Sequence, residues 1–422
     1  MEIARNAYLN KLLAKRGNGL VKIVTGIRRC GKSYLLSQLF KKRLFAEGVA
    51  PDHIIEVAFD SIENLALCEP VQFYSWLKEQ IKDEKSYYIL LDEVQLLKDF
   101  EAVLNGLLRI QNIDIYVTGS NAKFLSKDVI TEFRGRGDEI RLHPLSFAEF
   151  MSEYSGSKEE GLREYMLYGG LPLILSFSQP REKAAFLKSL FEETYLLDII
   201  GRNKLRHGEE LEEILNILSS SVGSLTNPNK LSAVFDSVKH QKLSAVTIKK
   251  YLDLLCDAFL IDRAMRYDVK GKRYIDTPLK YYFTDTGLRN ARLNFRQFEE
   301  MHLFENVIYN ELKIRGYSVD VGVVSRTVQN ADGTKARRQF EIDFVCNQGS
   351  ERCYIQAAYS MPDAGKMRQE ERSLQFTGDL FKKIIISKDC PAPHYNEEGI
   401  LVMGVYEFLL NPDSLEKPAG ML

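Results

Sequence analysis

The stretch GIRRCGKS, residues 26–33, decides the fold of this chain. It follows the apolar run VKIVT (21–25), precedes the helical run KSYLLSQLFKKRLF (32–45), and fits G-x-x-x-x-G-K-[ST]. Glycines at both ends let the loop backbone approach phosphate closely, and its N–H groups and the next helix's N-terminus supply positive potential. This pattern predicts an ATP site, in which Lys32 reaches the β- and γ-phosphates and Ser33 binds Mg²⁺. The residues expected to hold ATP are Gly26, Ile27, Arg28, Arg29, Cys30, Gly31, Lys32, Ser33 and Tyr34.

Apolar runs typical of strands alternate with helical patterns through residues 1–150. They are VKIVT (21–25), IIEVAF (54–59), YYILL (87–91), IDIYVT (113–118) and EIRL (139–142). This alternation predicts an α/β fold with a parallel sheet covered by helices on both faces. Ligands of such folds bind at the carboxyl ends of the strands, so the residues that end these runs are the candidates for a site.

Acidic and polar residues end two of the runs. Asp92 and Glu93 follow YYILL, and this order suits a Mg²⁺ ligand followed by a carboxylate that orients the attacking water. A strand followed by Asp-Glu is by itself usually a solvated loop, and only the P-loop upstream favours the functional interpretation. Ser120 or Asn121, after the fourth run, can hold the water or the γ-phosphate; the alternative is a turn-forming role.

Two arginines lie just before the fifth run, in FRGRGDEIRL (133–142). An arginine donated across a subunit boundary stabilises the charge that develops in phosphoryl transfer. We expect Arg136 to be that arginine; Arg134 and a plain surface pair are the alternatives. The predicted catalytic residues are therefore Lys32, Asp92, Glu93, Asn121, Arg136 and Arg134, with Ser33 and Asp92 as the metal ligands.

Six segments together resemble a large prokaryotic family of AAA-type P-loop ATPases that carry a C-terminal domain of unknown function. The segments are GIRRCGKS, LLDEVQ, TGSN, GRGDEIRLHPLSFAEF, YGGLP (168–172) and YYFTDTGLRNA (281–291). The resemblance covers nearly the whole chain. It implies a P-loop core with an additional strand and a catalytic Glu, ATP hydrolysis, and self-association into a ring, for which we expect six subunits.

Composition and spacing divide the chain of 422 residues into several domains. We predict an AAA-type ATPase core (1–150), a helical lid (151–208), a winged-helix domain (209–292) and a restriction-endonuclease-like α/β domain without activity (293–422). The net charge is −1, so any binding of nucleic acid must rest on local basic patches. The six cysteines form no CxxC pair, and no run is apolar enough to span a bilayer, which together predict a cytoplasmic protein without a membrane partner.

Residues 209–275 are patterned as helices followed by a basic hairpin. In KLSAVTIKKYLDLLCDAFLI (242–261), Ser244 is placed to cap a helix with one apolar stripe. That stripe is Ile248, Tyr251, Leu252, Leu255 and Phe259. A winged helix would bring this helix to the major groove of DNA and its hairpin to the phosphates. The predicted DNA-contact residues are Thr247, Lys249 and Lys250 on the helix and Lys270, Lys272 and Arg273 on the hairpin; the alternative is a winged helix that binds protein or is purely structural.

From residue 296 the order helix, three strands, helix, strand resembles restriction-endonuclease-like folds. Such a nuclease needs an acidic residue on the helix, an Asp on the hairpin, and then Glu/Gln-x-Lys. Glu305, Asp343 and Gln356 fit the first positions, but Ala358 stands where the lysine belongs, so a degenerate site is predicted. Lys366 is the candidate for a relocated lysine, and residues after Pro412 are expected to fray.

Three functions follow from these patterns. The leading hypothesis is an ATP-hydrolysing oligomer that binds and remodels or moves on DNA. The alternatives are a nucleotide-gated switch that binds a protein partner, and a Mg²⁺-dependent nuclease.

Overall fold

The computed structural model describes residues 2–119, 135–203, 205, 208–239, 242–329 and 334–416. The chain consists of two compact units. The first comprises Met1–Pro144 with the short segments Leu171–Leu173 and Asp257–Phe259, and the second comprises Leu145–Gly170, Ile174–Cys256 and Leu260–Leu422. The predicted boundary at 150 lies close to the break after Pro144, whereas those at 208 and 292 fall inside the second unit.

The first unit is built on a parallel sheet. Its strands are β1 (Val21–Thr25), β2 (Ile54–Ala58), β3 (Tyr87–Asp92), β4 (Ile113–Thr118) and β5 (Gly137–Arg141). They lie in the order β2-β3-β4-β1-β5, each parallel to its neighbours. All of β1 and all but the last residue of β3 are buried, as expected for a parallel sheet covered on both faces. The predicted α/β sheet is thus confirmed, and β3 runs far enough to carry Asp92 at its end.

Helices cover this sheet. They are α1 (Asn6–Ala14), α2 (Lys32–Tyr34), α3 (Lys41–Ala46), α4 (Pro70–Gln80) and α5 (Phe100–Leu107). Residues Leu35–Phe40, between α2 and α3, are π-helical, so the helical run predicted after the P-loop is continuous but not uniformly α. Phe73 and Leu77 of α4 and Leu104 of α5 are fully buried in one apolar core with the strands. Their burial fixes the helices on the sheet and holds the strand ends in place.

The second unit begins with helices and contains most of the helical residues. Its helices are α6 (Phe147–Met151), α7 (Lys158–Tyr168), α8 (Pro180–Ser189), α9 (Leu197–Arg202), α10 (Gly208–Ser220), α11 (Pro228–Lys239), α12 (Ala245–Asp257), α13 (Thr286–Arg292), α14 (Glu300–Ile314), α15 (Ala364–Gln375) and α16 (Val405–Leu410). Reciprocal capping boxes start two of them: Ser146 with Glu149 before α6, and Ser157 with Glu160 before α7.

Two segments that carry the family resemblance contact each other in this unit. The carboxylate of Asp285 accepts hydrogen bonds from the N–H of Gly170 at 2.8 Å and from that of Leu288 at 3.1 Å. A side chain at Gly169 is excluded, because its Cβ would lie 2.1 Å from Asp285 Oδ1. The Asn290 amide donates to the carbonyl of Leu167 at 2.8 Å. The residues around Gly170 and Asp285 therefore hold α7 and α13 together.

A mixed sheet forms the rest of the second unit. Its strands are β6 (Leu225–Thr226), β7 (Ile261–Asp268), β8 (Arg273–Phe283), β9 (Ser318–Gln329), β10 (Lys335–Gln348), β11 (Glu351–Ala358), β12 (Lys382–Ser387), β13 (His394–Tyr395) and β14 (Leu401–Gly404). Their order is β13-β14-β12-β11-β10-β9-β7-β8-β6. The hairpin predicted as a wing, β7–β8, joins the C-terminal strands through parallel pairing of Arg266 with Val321 and Asp268 with Val323. One sheet therefore runs across the boundary predicted at residue 292.

Some expectations for the second unit are wrong. Helix α12 ends at Asp257, and Phe259 follows it with a positive φ of 57°, so Phe259 is not on the apolar stripe of Ile248, Tyr251, Leu252 and Leu255. The chain after Pro412 is packed up to Leu415, which is 5% exposed, because the Arg315 guanidinium donates to the carbonyl of Pro412 at 3.0 Å. β13, β14 and α16 were not predicted.

Among the described residues, no helix is both long and apolar enough to cross a bilayer.

Candidate functional site

The P-loop serine and the acid at the end of β3 contact each other. β1 and β3 both flank β4, so their carboxyl ends lie at the same edge of the sheet. The Ser33 hydroxyl donates to Asp92 Oδ1 at 3.1 Å, across 59 positions of sequence. A hydroxyl and a carboxylate oxygen are the hard ligands that Mg²⁺ prefers. The two predicted metal ligands are therefore brought together.

Two glycines of the P-loop are required by geometry. Gly26 has φ +139°, and a Cβ there would lie 2.1 Å from the carbonyl oxygen of Leu142. Gly31 has φ +98° and directly precedes α2, so the loop turns there in a conformation that favours glycine. Arg29 also has a positive φ, 68°, which is costly for a residue with a side chain. The P-loop backbone therefore adopts positive φ angles at three positions before α2 begins.

Lys32 is buried, with 6% of its surface exposed, and its ammonium donates to the carbonyls of Gly26 at 3.0 Å and Ile27 at 3.2 Å. A cation is thus fixed within the loop by weak neutral acceptors. A triphosphate is a stronger acceptor for an ammonium than a carbonyl. The donor set fits a nucleoside triphosphate: the backbone N–H groups and Lys32 suit phosphate, and Ser33 with Asp92 suits Mg²⁺.

The nine predicted ATP-holding residues differ in what they can offer. The side chains of Ile27 and Cys30 are buried, and Cys30 Sγ lies 3.5 Å from the carbonyl oxygen of Leu142. Burial raises the pKa of the Cys30 thiol, so this side chain is an inert part of the core. These two residues can contribute only backbone groups to a ligand. Arg29 and Tyr34 are exposed and can contribute side chains.

Thr118, which the sequence analysis missed, lies between the two predicted catalytic acids. Its hydroxyl donates to Asp92 Oδ1 and accepts from the N–H of Glu93 at 3.3 Å. Burial raises the pKa of Asp92, and the carboxylates of Glu93 and Asp60 act in the same direction, whereas the Thr118 and Ser33 hydroxyls lower it. Its place as the first residue of the TGSN segment, at the end of a strand that neighbours β3, is the signal that could have identified Thr118.

Glu93 follows β3 in a left-handed conformation, with φ 50°. A residue other than glycine in the left-handed backbone conformation costs about 1 kcal/mol or more. It persists where the surrounding structure imposes that conformation. The Gln95 amide donates to Glu93 Oε2, and Glu93 is half-buried. The turn after Asp92 therefore directs Glu93 away from the strand, and Gln95 holds its carboxylate.

Arg136 lies at the amino ends of the strands, whereas the P-loop follows the carboxyl end of β1. Its carbonyl accepts from the N–H of Val21, the first residue of β1, whereas the P-loop follows the last residue of that strand. Its guanidinium donates to Asn105 Oδ1 at 3.3 Å. Arg136 and the P-loop of its own chain therefore lie at opposite ends of β1. Ser120, Asn121 and Arg134 lie outside the described residues.

The predicted DNA-contact residues lie on α12 and on the β7–β8 turn. The Ser244 hydroxyl caps α12 by accepting from the N–H of Thr247 at 3.1 Å, as predicted. Lys249 and Lys250 are exposed on this helix. Lys270, Lys272 and Arg273 are exposed at the turn, where Arg273 Nε lies 3.9 Å from Asp268 Oδ2.

The predicted degenerate nuclease site is assembled around a lysine that the sequence analysis missed. Asp343 Oδ2 accepts from the N–H of Ala357 at 2.9 Å, and the N–H of Asp343 lies 3.5 Å from Gln356 Oε1. Lys280 of β8, 4% exposed, donates to Glu305 Oε1 at 2.9 Å. The Lys280 ammonium also lies 2.9 Å from Glu341 Oε1 and 3.9 Å from Asp343 Oδ1.

This buried cluster has altered protonation. Burial raises the pKa of Asp343 to about 8, the Glu305 carboxylate adds to the rise, and Lys280 opposes it. Burial lowers the pKa of Lys280, but Glu305, Asp343 and Glu341 outweigh it, so the net pKa is raised. Lys280 is therefore a permanent internal cation.

Lys366, the candidate for a relocated lysine, makes an ion pair within its own helix. Its ammonium pairs with Glu370 Oε1 at 2.6 Å, one turn along its own helix α15. Ala358 is buried, with 2% of its surface exposed, and belongs to an apolar cluster. Within the part of the chain that the structure describes, no group of three or more His, Cys, Asp or Glu side chains is arranged to hold a metal ion.

The sheet order, with β4 inserted between the P-loop strand and the acidic strand β3, defines a P-loop nucleotide-binding protein of the additional-strand class. Residues 18–151 match the sequence model of a family described as "AAA domain", and residues 159–299 match a family described as a domain of unknown function. The prediction of an AAA-type P-loop protein that carries a domain of unknown function is confirmed.

The chain belongs to the same family as an uncharacterized protein of Haemophilus influenzae, to which it is 33% identical over 417 residues, covering 97% of this chain and 98% of that protein. An uncharacterized protein of Methanocaldococcus jannaschii is 25% identical over 396 residues, covering 90% of this chain and 83% of that protein. A solved structure of the Aeropyrum pernix ORC1 protein in complex with DNA is 12% identical, with a TM-score of 0.28, covering 69% of this chain and 92% of that chain. A TM-score this low bears on neither fold nor function.

Proposed function

We propose that the first unit binds ATP with Mg²⁺ and hydrolyses it to ADP and phosphate. The contact between Ser33 Oγ and Asp92 Oδ1, at 3.1 Å, carries this proposal, because it places two oxygen ligands for one cation beside the P-loop. Ser33 and Asp92 would hold the Mg²⁺, which would neutralise negative charge on the phosphates. Lys32 binds the same phosphates, and Glu93 orients the attacking water and accepts its proton.

The remaining predicted catalytic residues belong to this proposal. Asn121 contacts the water or the γ-phosphate from the segment after β4. Arg136, or Arg134 beside it, acts on the nucleotide of a neighbouring subunit in a ring of six. Arg136 precedes β5 at the amino ends of the strands, and the P-loop of the same chain lies at their carboxyl ends. This separation supports action of Arg136 across a subunit boundary.

The second part of the proposal is that the protein acts on DNA through the second unit. The order α10, β6, α11, α12, β7, β8, with β6 paired to β8, supports a winged helix. Exposed lysines on α12 and on the β7–β8 turn supply the positive charge that phosphate contacts require. The elements α14, β9, β10, β11, α15 and β12 support a nuclease-like frame that serves DNA binding.

ATP turnover by the full chain, with and without duplex DNA and over a salt series, tests both parts. We expect turnover that requires Lys32 and rises when DNA is added, with an effect that declines steeply as salt increases. Turnover unaffected by DNA, together with no salt-dependent DNA binding, would remove the DNA part and leave the ATPase part standing. A Lys32→Ala variant that turns over ATP normally would remove the ATPase part.

A nucleotide-gated switch that binds a protein partner is the second candidate function. Val246, at the start of α12, favours it, because this apolar side chain is 79% exposed on the helix proposed to face DNA. Recovery of one stoichiometric protein partner in the ATP-bound state, with no DNA bound, would support this function. The nuclease alternative is disfavoured by Lys280, since its ammonium already pairs with the carboxylates of Glu305 and Glu341 and lies 3.9 Å from Asp343 Oδ1. Cleavage of labelled DNA in Mg²⁺ or Mn²⁺ that is lost in Asp343→Ala would reverse that judgement.

A further inference from the structure

β9 and β10 extend beyond the strands on either side of them. β9 pairs with β7 only from Val321 to Val323, and β10 pairs with β11 only from Phe344 to Gln348. β9 and β10 nevertheless continue to pair with each other out to Gln329 and Lys335. Residues 325–329 and 335–339 therefore pair only with each other and form a two-stranded β-ribbon, which we call the ribbon. None of its residues is buried.

One face of the ribbon is composed entirely of hydrogen-bonding side chains. Directly opposed residues of antiparallel strands share a face. The register opposes Ser325 with Gln339, Thr327 with Arg337 and Gln329 with Lys335, so these six residues share one face. None of them is acidic or apolar, and no acidic or aromatic residue occurs at the ribbon's other positions. Such a face offers donors and acceptors to a polar, negatively charged surface.

The opposite face places two arginines directly across from each other, Arg326 and Arg338. Two positive charges are thus concentrated at one level of the ribbon. The base of the ribbon is anchored: Arg326 lies 4.3 Å from the centre of the Phe376 ring, and Phe340 packs on the same ring at 4.9 Å. The ribbon is therefore a positioned arm with concentrated positive charge.

The β7–β8 turn emerges at the same end of the sheet as the ribbon. β7 runs parallel to β9, and the N–H of Val269, just past β7, donates to the carbonyl of Val323 at 3.0 Å. The exposed residues Lys270 and Lys272 follow directly. Two basic hairpins thus leave neighbouring strands in the same direction, although the chain's net charge is −1.

We propose that the ribbon enters the major groove of duplex DNA while the β7–β8 turn contacts the adjacent phosphates. This deepens the DNA-binding function proposed above and rests on it. The major groove of B-DNA, about 12 Å wide, admits a two-stranded β-ribbon, and Arg, Lys, Gln, Ser and Thr are the side chains that bond its base edges. The deep, narrow major groove of A-form RNA excludes such a ribbon. Single strands are bound largely by stacking on aromatic side chains, and the ribbon has none.

Fluorescence anisotropy of a labelled 20-bp DNA duplex with the full-length protein, over 50–250 mM salt, tests this inference. The variant is Lys335→Gln/Arg337→Gln, and the matched control is Lys158→Gln/Arg163→Gln, which removes the same charge from exposed positions on α7. Because the ribbon is proposed to contact base edges, the slope of log affinity against log salt should change little in this variant. Lys270→Gln/Lys272→Gln, which removes phosphate contacts of the β7–β8 turn, should lower that slope by about 1.8, at roughly 0.9 per contact. Affinity of the ribbon variant should fall at least about tenfold at 100 mM salt, with the control unchanged.

The alternative outcomes are separable. If the ribbon variant binds like wild type while Lys249→Gln/Lys250→Gln loses binding, the ribbon inference is wrong and the DNA function stands. If wild type binds no DNA at 50 mM salt, the DNA function itself fails. Equal affinity for duplex RNA or single-stranded DNA of the same length overturns the groove assignment, because a groove-bound ribbon must discriminate against both.

Discussion

Ser33 Oγ, in α2 directly after the P-loop, lies 3.1 Å from Oδ1 of Asp92, the last residue of β3. This contact connects the P-loop to the acidic strand. The Thr118 hydroxyl, at the end of β4, the strand between β1 and β3, donates to the same carboxylate oxygen. One oxygen of Asp92 is therefore held between two hydroxyls.

Thr118 is predicted to be a positioning residue for Asp92. Thr118→Val removes the hydroxyl at nearly constant volume, so the pKa of Asp92 should rise further and its hold on Mg²⁺ should weaken. Loss of such an outer partner typically costs about 10–100-fold in metal affinity. A Mg²⁺ titration of ATP turnover should show this shift with little change at saturating Mg²⁺. Thr118→Ser should restore the wild-type curve; a Ser variant as poor as the Val variant would show that the methyl group, not the hydroxyl, matters.

Arg136→Ala should reduce turnover without weakening ATP binding. An arginine that acts across a subunit boundary is worth about 10³–10⁵ in rate. Mixing Arg136→Ala with Lys32→Ala subunits should recover part of the activity, since intact P-loops of the first can meet intact arginines of the second. If the mixture recovers nothing while Arg134→Ala behaves as predicted for Arg136, the assignment moves to Arg134.

Lys280 is predicted to stabilise the second unit by compensating buried carboxylates. Lys280→Met leaves the buried carboxylate of Glu305 without its cation and should cost about 3–5 kcal/mol in the free energy of unfolding. Adding Glu305→Gln to Lys280→Met should return part of the loss. Urea unfolding measures both variants. A Lys280→Met protein as stable as wild type would show that the cluster is open to water.

Asp343 should make stability depend on pH. Its pKa in the folded protein is raised to about 8, above the ordinary value near 3.9. The stabilisation from this group is therefore complete below about pH 4 and is lost as pH rises toward 8, because the unfolded chain releases the proton first. Asp343→Asn removes the titrating group and keeps an acceptor for the N–H of Ala357. The variant should lose stability less steeply than wild type between pH 4 and 8 in urea unfolding; parallel curves would contradict the raised pKa.

Much of the first unit follows from local sequence. Gly26, Gly31, Lys32 and Ser33 occupy one short loop, and the strands of a doubly covered sheet are continuous apolar runs, so both are visible without tertiary knowledge. Thr118 was missed because its role depends on the lateral order of strands, which places β4 between β1 and β3.

The second unit depends more on contacts that are distant in sequence. Lys280 lies 25 residues from Glu305, and only pairing of β7 with β9 brings its hairpin to the C-terminal strands. Lys280 lies in the continuously buried end of β8, and its sequence neighbours give no sign of the three acidic residues around it. The pairing of β7 with β9 also joins the predicted domains 209–292 and 293–422 in one sheet. The composition of the sequence does not indicate this pairing.

ATP hydrolysis at the Ser33–Asp92 contact is most directly tested by measuring phosphate release from saturating Mg·ATP by wild type and Glu93→Gln, with ATP binding measured in the same samples. Loss of a general base costs about 10²–10⁴ in rate. Glu93→Gln should therefore bind ATP as tightly as wild type and release phosphate at least about 100-fold more slowly. Equal rates for the two proteins, or no turnover by wild type in any oligomeric state, would contradict the assignment of this site.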